Sequence, residues 1–185
     1  VKPAENSSLS ALKMAELAVA AGLPAGVFNV VPGLGAEAGQ ALARHMDVAK
    51  IAFTGSGPTG RKMMQYAAES NMKQVSLELG GKSPQVVLND CTDLEAAAST
   101  IAWAIYYNAG QTCNAGSRII VEKGVKEELF AHLHKFLESF VVGNQFDPTT
   151  QMAGLVSELQ RDRVNAYLDL VGQDGEKIVY GGQKT

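Results

Sequence analysis

The stretch KIAFTGSGPTGRKMMQYAAESNMKQVSLELGG, residues 50–81, decides the fold. Residues 50–53 form a short apolar run that enters a turn rich in glycine: Gly55, Gly57 and Gly60. A helix is predicted from about Thr59 to Glu69, and a second strand from Val75 to Leu79. Strand, helix and strand joined by short loops predict parallel neighbours in an α/β sheet.

The alternation continues in both directions. Upstream, residues 9–21 have helical apolar spacing, with Gly22 and Pro24 as the stop. VFNVV at 27–31 reads as a strand, and a helix of small residues follows from Ala36 to His45. Downstream, PQVVL at 84–88 and SRIIVE at 117–122 read as strands separated by a helix from Leu94 to Asn108. Helices over Val125–Phe140 and Ser157–Val171 follow, and KIVYGG at 177–182 is predicted as a closing strand and turn. A boundary is placed near Gly80-Gly81.

Composition excludes several classes. Hydrophobic residues make up 46% of the 185 and the net charge is −3, so a buried core is available and no basic stripe invites nucleic acid. No apolar run reaches the length of a membrane span, and no signal peptide is expected before the first helix. Cys91 and Cys113 match no zinc spacing, so no metal site is expected, and their number suggests a reducing, cytoplasmic setting.

Three stretches carry possible chemistry. Gly81-Lys82-Ser83 looks like the end of a phosphate-binding loop, but that motif needs glycine where Ser76 stands. The same stretch holds Glu78, a carboxylate between Leu77 and Leu79. Gly55, Gly57 and Gly60 fit G-x-G-x-x-G, which lets backbone N–H groups approach a pyrophosphate; a plain glycine-rich turn fits equally well. NAGQTCNAGSR, residues 108–118, sets Cys113 in a loop of small residues, either as a nucleophile or as a small buried hydrophobe. A Cys–His hydrolase is the natural competitor, yet none of His45, His132 and His134 has a hydrolase signature beside Cys113.

Taken together, KPAENSSLSAL (2–12), AGLPAGVFNVVPGLG (21–35), KIAFTGSGPTG, VSLELGGKSPQ (75–85) and YYNAGQTCNAGSR (106–118) resemble the aldehyde dehydrogenase superfamily, in family order. The resemblance implies an α/β fold: residues 1–80 as the second half of a Rossmann-like NAD-binding domain, 81–185 as the first part of the catalytic domain. It implies NAD-dependent oxidation of a small-molecule aldehyde, with Cys113 as nucleophile and Glu78 as general base. Partial burial of Glu78 is expected to tune it for that task. The cofactor-binding residues implied are Lys2, Glu5, Gly35, Gly55, Ser56, Gly60 and Leu79, with Glu5 favouring NAD over NADP. The family asparagine upstream of the KPA motif and its E-x-F-G-P segment are not among these residues. The chain therefore resembles the central segment of a homo-oligomeric enzyme, expected to have little activity by itself. A non-catalytic folded or assembly fragment is the alternative.

Overall fold

Two pairs of parallel strands, each with its own helix, organise the computed structural model, which describes residues 1–173 and 175–183. The chain divides into two compact units, Val1–Gly80 and Gly81–Thr185. Residues 174, 184 and 185, in the span expected as catalytic, lie outside the described residues.

In the first unit, a 3₁₀ turn at Glu5–Ser7 leads into helix α1, Ser8–Ala20. A π-helical turn at Gly35–Gly39 continues into α2, Gln40–Arg44. Strand β1, Lys50–Gly55, pairs in parallel with β2, Gln74–Leu79, in the register Lys50↔Gln74 through Gly55↔Leu79. Helix α3, Gly57–Ala68, joins them. Its start is written locally: the Ser56 hydroxyl accepts from the Thr59 N–H, and Pro58 sits in the first turn, where a missing N–H costs nothing.

The buried face of α3 is Gly60, Met63 and Ala67, one stripe at helical spacing. A Cβ on Gly60 would lie 3.0 Å from a Leu79 methyl and 3.4 Å from one of Leu77, so glycine is what lets α3 sit this close to β2. The other lock is polar. Lys73, 6% exposed, donates through Nζ to the Ala43 carbonyl at 2.6 Å and the Ser70 hydroxyl at 2.8 Å. Ser70 in turn donates to the Tyr66 carbonyl. One buried ammonium thus sits at the carbonyl ends of both α2 and α3, where the helix dipole favours a cation.

In the second unit, β3 (Pro84–Val87) and β4 (Arg118–Val121) pair in parallel, with Pro84↔Arg118 and Val87↔Val121 at the ends. Helix α4, Leu94–Tyr106, lies between them in sequence and is capped by the Asp93 carboxylate, which accepts from the Ala96 N–H at 2.9 Å. Helix α5, Lys126–Glu138, packs on α4; α6, Glu158–Leu168, follows. The core is apolar: Val87 from β3, Leu94, Ala98, Ile101 and Ala102 from α4, and Leu129 and Leu133 from α5. Trp103, Phe136 and Phe140 extend it with edge-to-face ring contacts.

Two expected strands are not formed. Residues 27–31 make only two backbone hydrogen bonds across to the chain start, from Val1 to Asn29 and from Val31 to Val1, too few for a ladder. Residues 177–182 have no strand partner among the described residues, and Gly181 and Gly182 take positive φ. The helix expected to run to Asn108 stops at Tyr106, because Tyr107 turns extended, with ψ of 127°, and Asn108, Ala109 and Gly110 then take positive φ. No helix of the described residues is long and apolar enough to cross a membrane.

Candidate active site

Within the first unit, the structure draws Lys2, Glu5 and Gly35 together. Lys2 Nζ donates to the carbonyls of Pro3 and Gly33, at 2.6 and 2.9 Å, and stands 3.5 Å from Glu5 Oε1. The same oxygen accepts the Gly35 N–H at 2.7 Å. Hydrogen bonds from the Glu5 and Gly35 backbone N–H groups, followed by the Lys2 charge, hold the Glu5 carboxyl below its ordinary range. Glu5 is therefore an exposed carboxylate whose ionised form these contacts favour. These three residues line a cleft of about 730 Å³ that extends past Thr54, Thr59 and Met63, a size suited to a cofactor fragment.

The remaining residues implied for the cofactor lie at the junction of β1, α3 and β2. Gly55 ends β1, and the Phe53 ring occupies the space 2.5 Å from where a Gly55 Cβ would be. Ser56 caps α3, while Gly60 and Leu79 pack against each other. None of these four is in the wall of the cleft that holds Glu5. A Cβ on Gly57 would meet nothing within 4 Å, so no close approach requires that glycine.

Glu78 corrects one expectation. It is exposed, not partly buried. Successive side chains of a strand point to opposite faces. Leu77 and Leu79 are the residues that approach Gly60 on α3, so Glu78 between them takes the other face.

In the second unit, Cys113 is a free, exposed thiol. It stands inside a turn closed by the Ala115 N–H donating to the Thr112 carbonyl at 3.3 Å. Its own backbone N–H has no hydrogen-bond partner among the described residues, which leaves a donor beside the sulfur. Helix α4 ends shortly before in a strained turn. Asn108 and Ala109 have φ of 52° and 56°, a conformation that costs about 1–2 kcal/mol per ordinary residue.

The loop is held from both sides. Gly81 lies against it so closely that a Cβ there would be 3.0 Å from the Cys113 carbonyl oxygen. Gln85 Nε2 donates to the carbonyls of Gly116, at 2.7 Å, and Ile101, at 3.3 Å. Arg118 Nε donates to the Lys82 carbonyl at 2.7 Å. The segment GGKSPQ is thus the wall against which the cysteine loop rests, and Lys82 contributes its backbone oxygen. On the other side Asn108 and Gln111 exchange side-chain-to-backbone hydrogen bonds.

Sequence reasoning missed Gly81, Gln85, Asn108, Gln111 and Lys73 as supporting residues. Gln85 carried a readable signal. It shares strand parity with buried Val87, and a polar group turned inward needs a partner. Among the described residues no histidine hydrogen-bonds to Cys113 Sγ, and His134 Nε2 is buried without a partner while its ring stacks on Tyr180 at 5.3 Å.

The profile of the aldehyde dehydrogenase family matches residues 1–185. The chain belongs to the aldehyde dehydrogenase family. Its α/β fold is that of solved members. It is 48% identical over 182 residues to the aminoacetaldehyde dehydrogenase of Pseudomonas aeruginosa, covering 98% of this chain and 37% of that protein. It is 45% identical over 181 residues to the NADP/NAD-dependent aldehyde dehydrogenase PuuC of Escherichia coli, again covering 98% of this chain and 37% of the relative. An indole-3-acetaldehyde dehydrogenase solved with NAD⁺ superposes with a TM-score of 0.95 at 46% identity, covering 98% of this chain and 37% of that one. The chain therefore spans little more than a third of the length of the relatives it matches.

Proposed function

We propose that this chain is the central segment of an NAD-dependent aldehyde dehydrogenase. Residues 1–80 would be the second half of the cofactor domain, and 81–185 the start of the catalytic domain. The observation that carries the reading is the exposed Cys113 thiol, on an anchored turn, beside a backbone N–H without a partner among the described residues. The Cys113 thiolate attacks the aldehyde carbonyl, and the oxygen that gains charge is received by the Cys113 N–H, one half of an oxyanion hole. NAD, when bound, supplies the hydride acceptor. Loss of hydride leaves the acyl group on Cys113 as a thioester. Glu78 takes a proton from water, the resulting hydroxide attacks the thioester, and carboxylate and thiol are released.

Lys2, Glu5 and Gly35 fit the adenosine ribose of that cofactor, because an ionised carboxylate accepts hydrogen bonds from ribose hydroxyls and repels a 2′-phosphate. This supports NAD over NADP. Gly55, Ser56, Gly60 and Leu79 shape the nearby junction of strand and helix. The full-length enzyme is proposed to be a homo-oligomer.

The test is NADH absorbance with NAD and an aldehyde panel that begins with aminoacetaldehyde, on a polypeptide of family length containing this chain. Cys113→Ala and Glu78→Gln should each abolish turnover, while substitutions of His45, His132 or His134 leave it intact. Turnover that survives Cys113→Ala would sink the reading. The 185 residues alone should give little or no NADH, since loss of one oxyanion donor alone costs about 10²–10³ in turnover.

A second reading has its own support. Helix α1 buries no residue and exposes Leu9, Met14, Leu17 and Val19. Exposed apolar faces of this kind drive association. Expressed alone, this chain would then self-associate; a clean monomer by light scattering would count against it.

A further inference from the structure

We propose that Gln111 is a positioning residue for Cys113, an inference that rests on reading Cys113 as the nucleophile. Its amide works in two directions. Gln111 Nε2 donates to the Asn108 carbonyl at 3.2 Å, and the Asn108 side chain returns a hydrogen bond to the Gln111 carbonyl at 3.3 Å. Gln111 Oε1 accepts the backbone N–H of Val156 at 3.1 Å, from the segment that leads into α6. The Gln111 backbone N–H also donates to the Asn108 carbonyl, at 3.1 Å.

These bonds surround three consecutive left-handed residues, Asn108, Ala109 and Gly110, with φ of 52°, 56° and 72°. Glycine takes that conformation freely; alanine does not. A strained turn of this kind persists only where neighbouring groups over-determine it. Gln111 is the residue that does so, and it stands two positions before Cys113. Without its amide the turn has no side-chain bond to the α6 segment among the described residues, and the path from α4 into the cysteine loop loosens. A modest displacement of a reacting group is enough to slow chemistry strongly.

The two amide bonds separate by substitution. A glutamate keeps an acceptor for Val156 and loses the donor to Asn108. Glycine at position 109 removes the strain that Gln111 restrains. In the family-length polypeptide, Gln111→Ala and Gln111→Glu should lower kcat about tenfold or more with the KM for NAD unchanged. They should also change the rate of Cys113 alkylation by iodoacetamide, followed on the Cys113 peptide, at least threefold, with Cys91 unaffected. Ala109→Gly placed in the Gln111→Ala background should recover at least half of the loss. That double variant also keeps the test open if Gln111→Ala alone folds poorly.

Alkylation and kcat within twofold of the wild type for both single variants would overturn the proposal. So would a loss that Ala109→Gly does not relieve. If the wild type makes no NADH, the dehydrogenase reading fails, yet the alkylation rates still decide whether Gln111 positions the thiol.

Discussion

The two units of this chain are stabilised by different means. The first buries few apolar side chains, Ala43, Met63 and Ala67, and ties its helix ends with a buried lysine. The second has a continuous apolar core from Val87 to Leu133 and uses its polar groups to pin one loop. In the first unit the Lys2 ammonium and the Gly35 N–H are taken up by the Pro3 and Gly33 carbonyls and by Glu5, whose exposed carboxylate lines the cleft. In the second unit the Gln85 amide, bonded to the Gly116 and Ile101 carbonyls, ties the cysteine loop to the apolar core.

The largest stability effect should come from the second unit. Leu129 is fully buried, so Leu129→Ala removes core volume and should cost about 2–5 kcal/mol. Hydrogen exchange would show this as faster opening of α4 and α5 amides, with β1 and β2 little changed. If β1 and β2 loosen equally, the two supports are not separate.

The matching change in the first unit is Lys73→Met, which keeps the apolar stem and deletes the donor. It leaves the Ala43 carbonyl without that ammonium and should cost about 1–3 kcal/mol, seen in α2 and α3 amides. An unchanged exchange pattern would mean that the polar lock is dispensable.

The smallest effect is a pH dependence. Glu5 has a lowered pKa in the folded chain, so its contribution is present above the ordinary carboxylate range and is lost as pH falls through the lowered value. The difference in melting temperature between wild type and Glu5→Gln should be constant near neutral pH and shrink on acidification. Because Glu5 is exposed, the difference should be small and weaken with salt. A difference that grows on acidification would contradict the sign.

Much of this was legible in the sequence. The strand–helix–strand unit at 50–79 follows from short-range patterns. The two motifs around Glu78 and Cys113 marked the candidate chemistry. What escaped depends on contacts between distant residues. Nothing local says that Lys73 reaches the Ala43 carbonyl, 30 positions away, or that Gln111 meets Val156, 45 positions away. The apolar run at 27–31 misled because strand formation needs a partner ladder, which its own composition does not supply. Glu78 misled differently: its sequence neighbours are leucines, but on a strand they face the other way.

The central claim is that Cys113 carries the acyl group. The direct measurement is mass spectrometry of the Glu78→Gln family-length polypeptide after exposure to an aldehyde and NAD. Slowed hydrolysis should leave the acyl adduct on the peptide containing Cys113, absent when NAD is withheld. An adduct on Cys91, or NADH formation by a protein whose Cys113 stays unmodified throughout, would contradict the account.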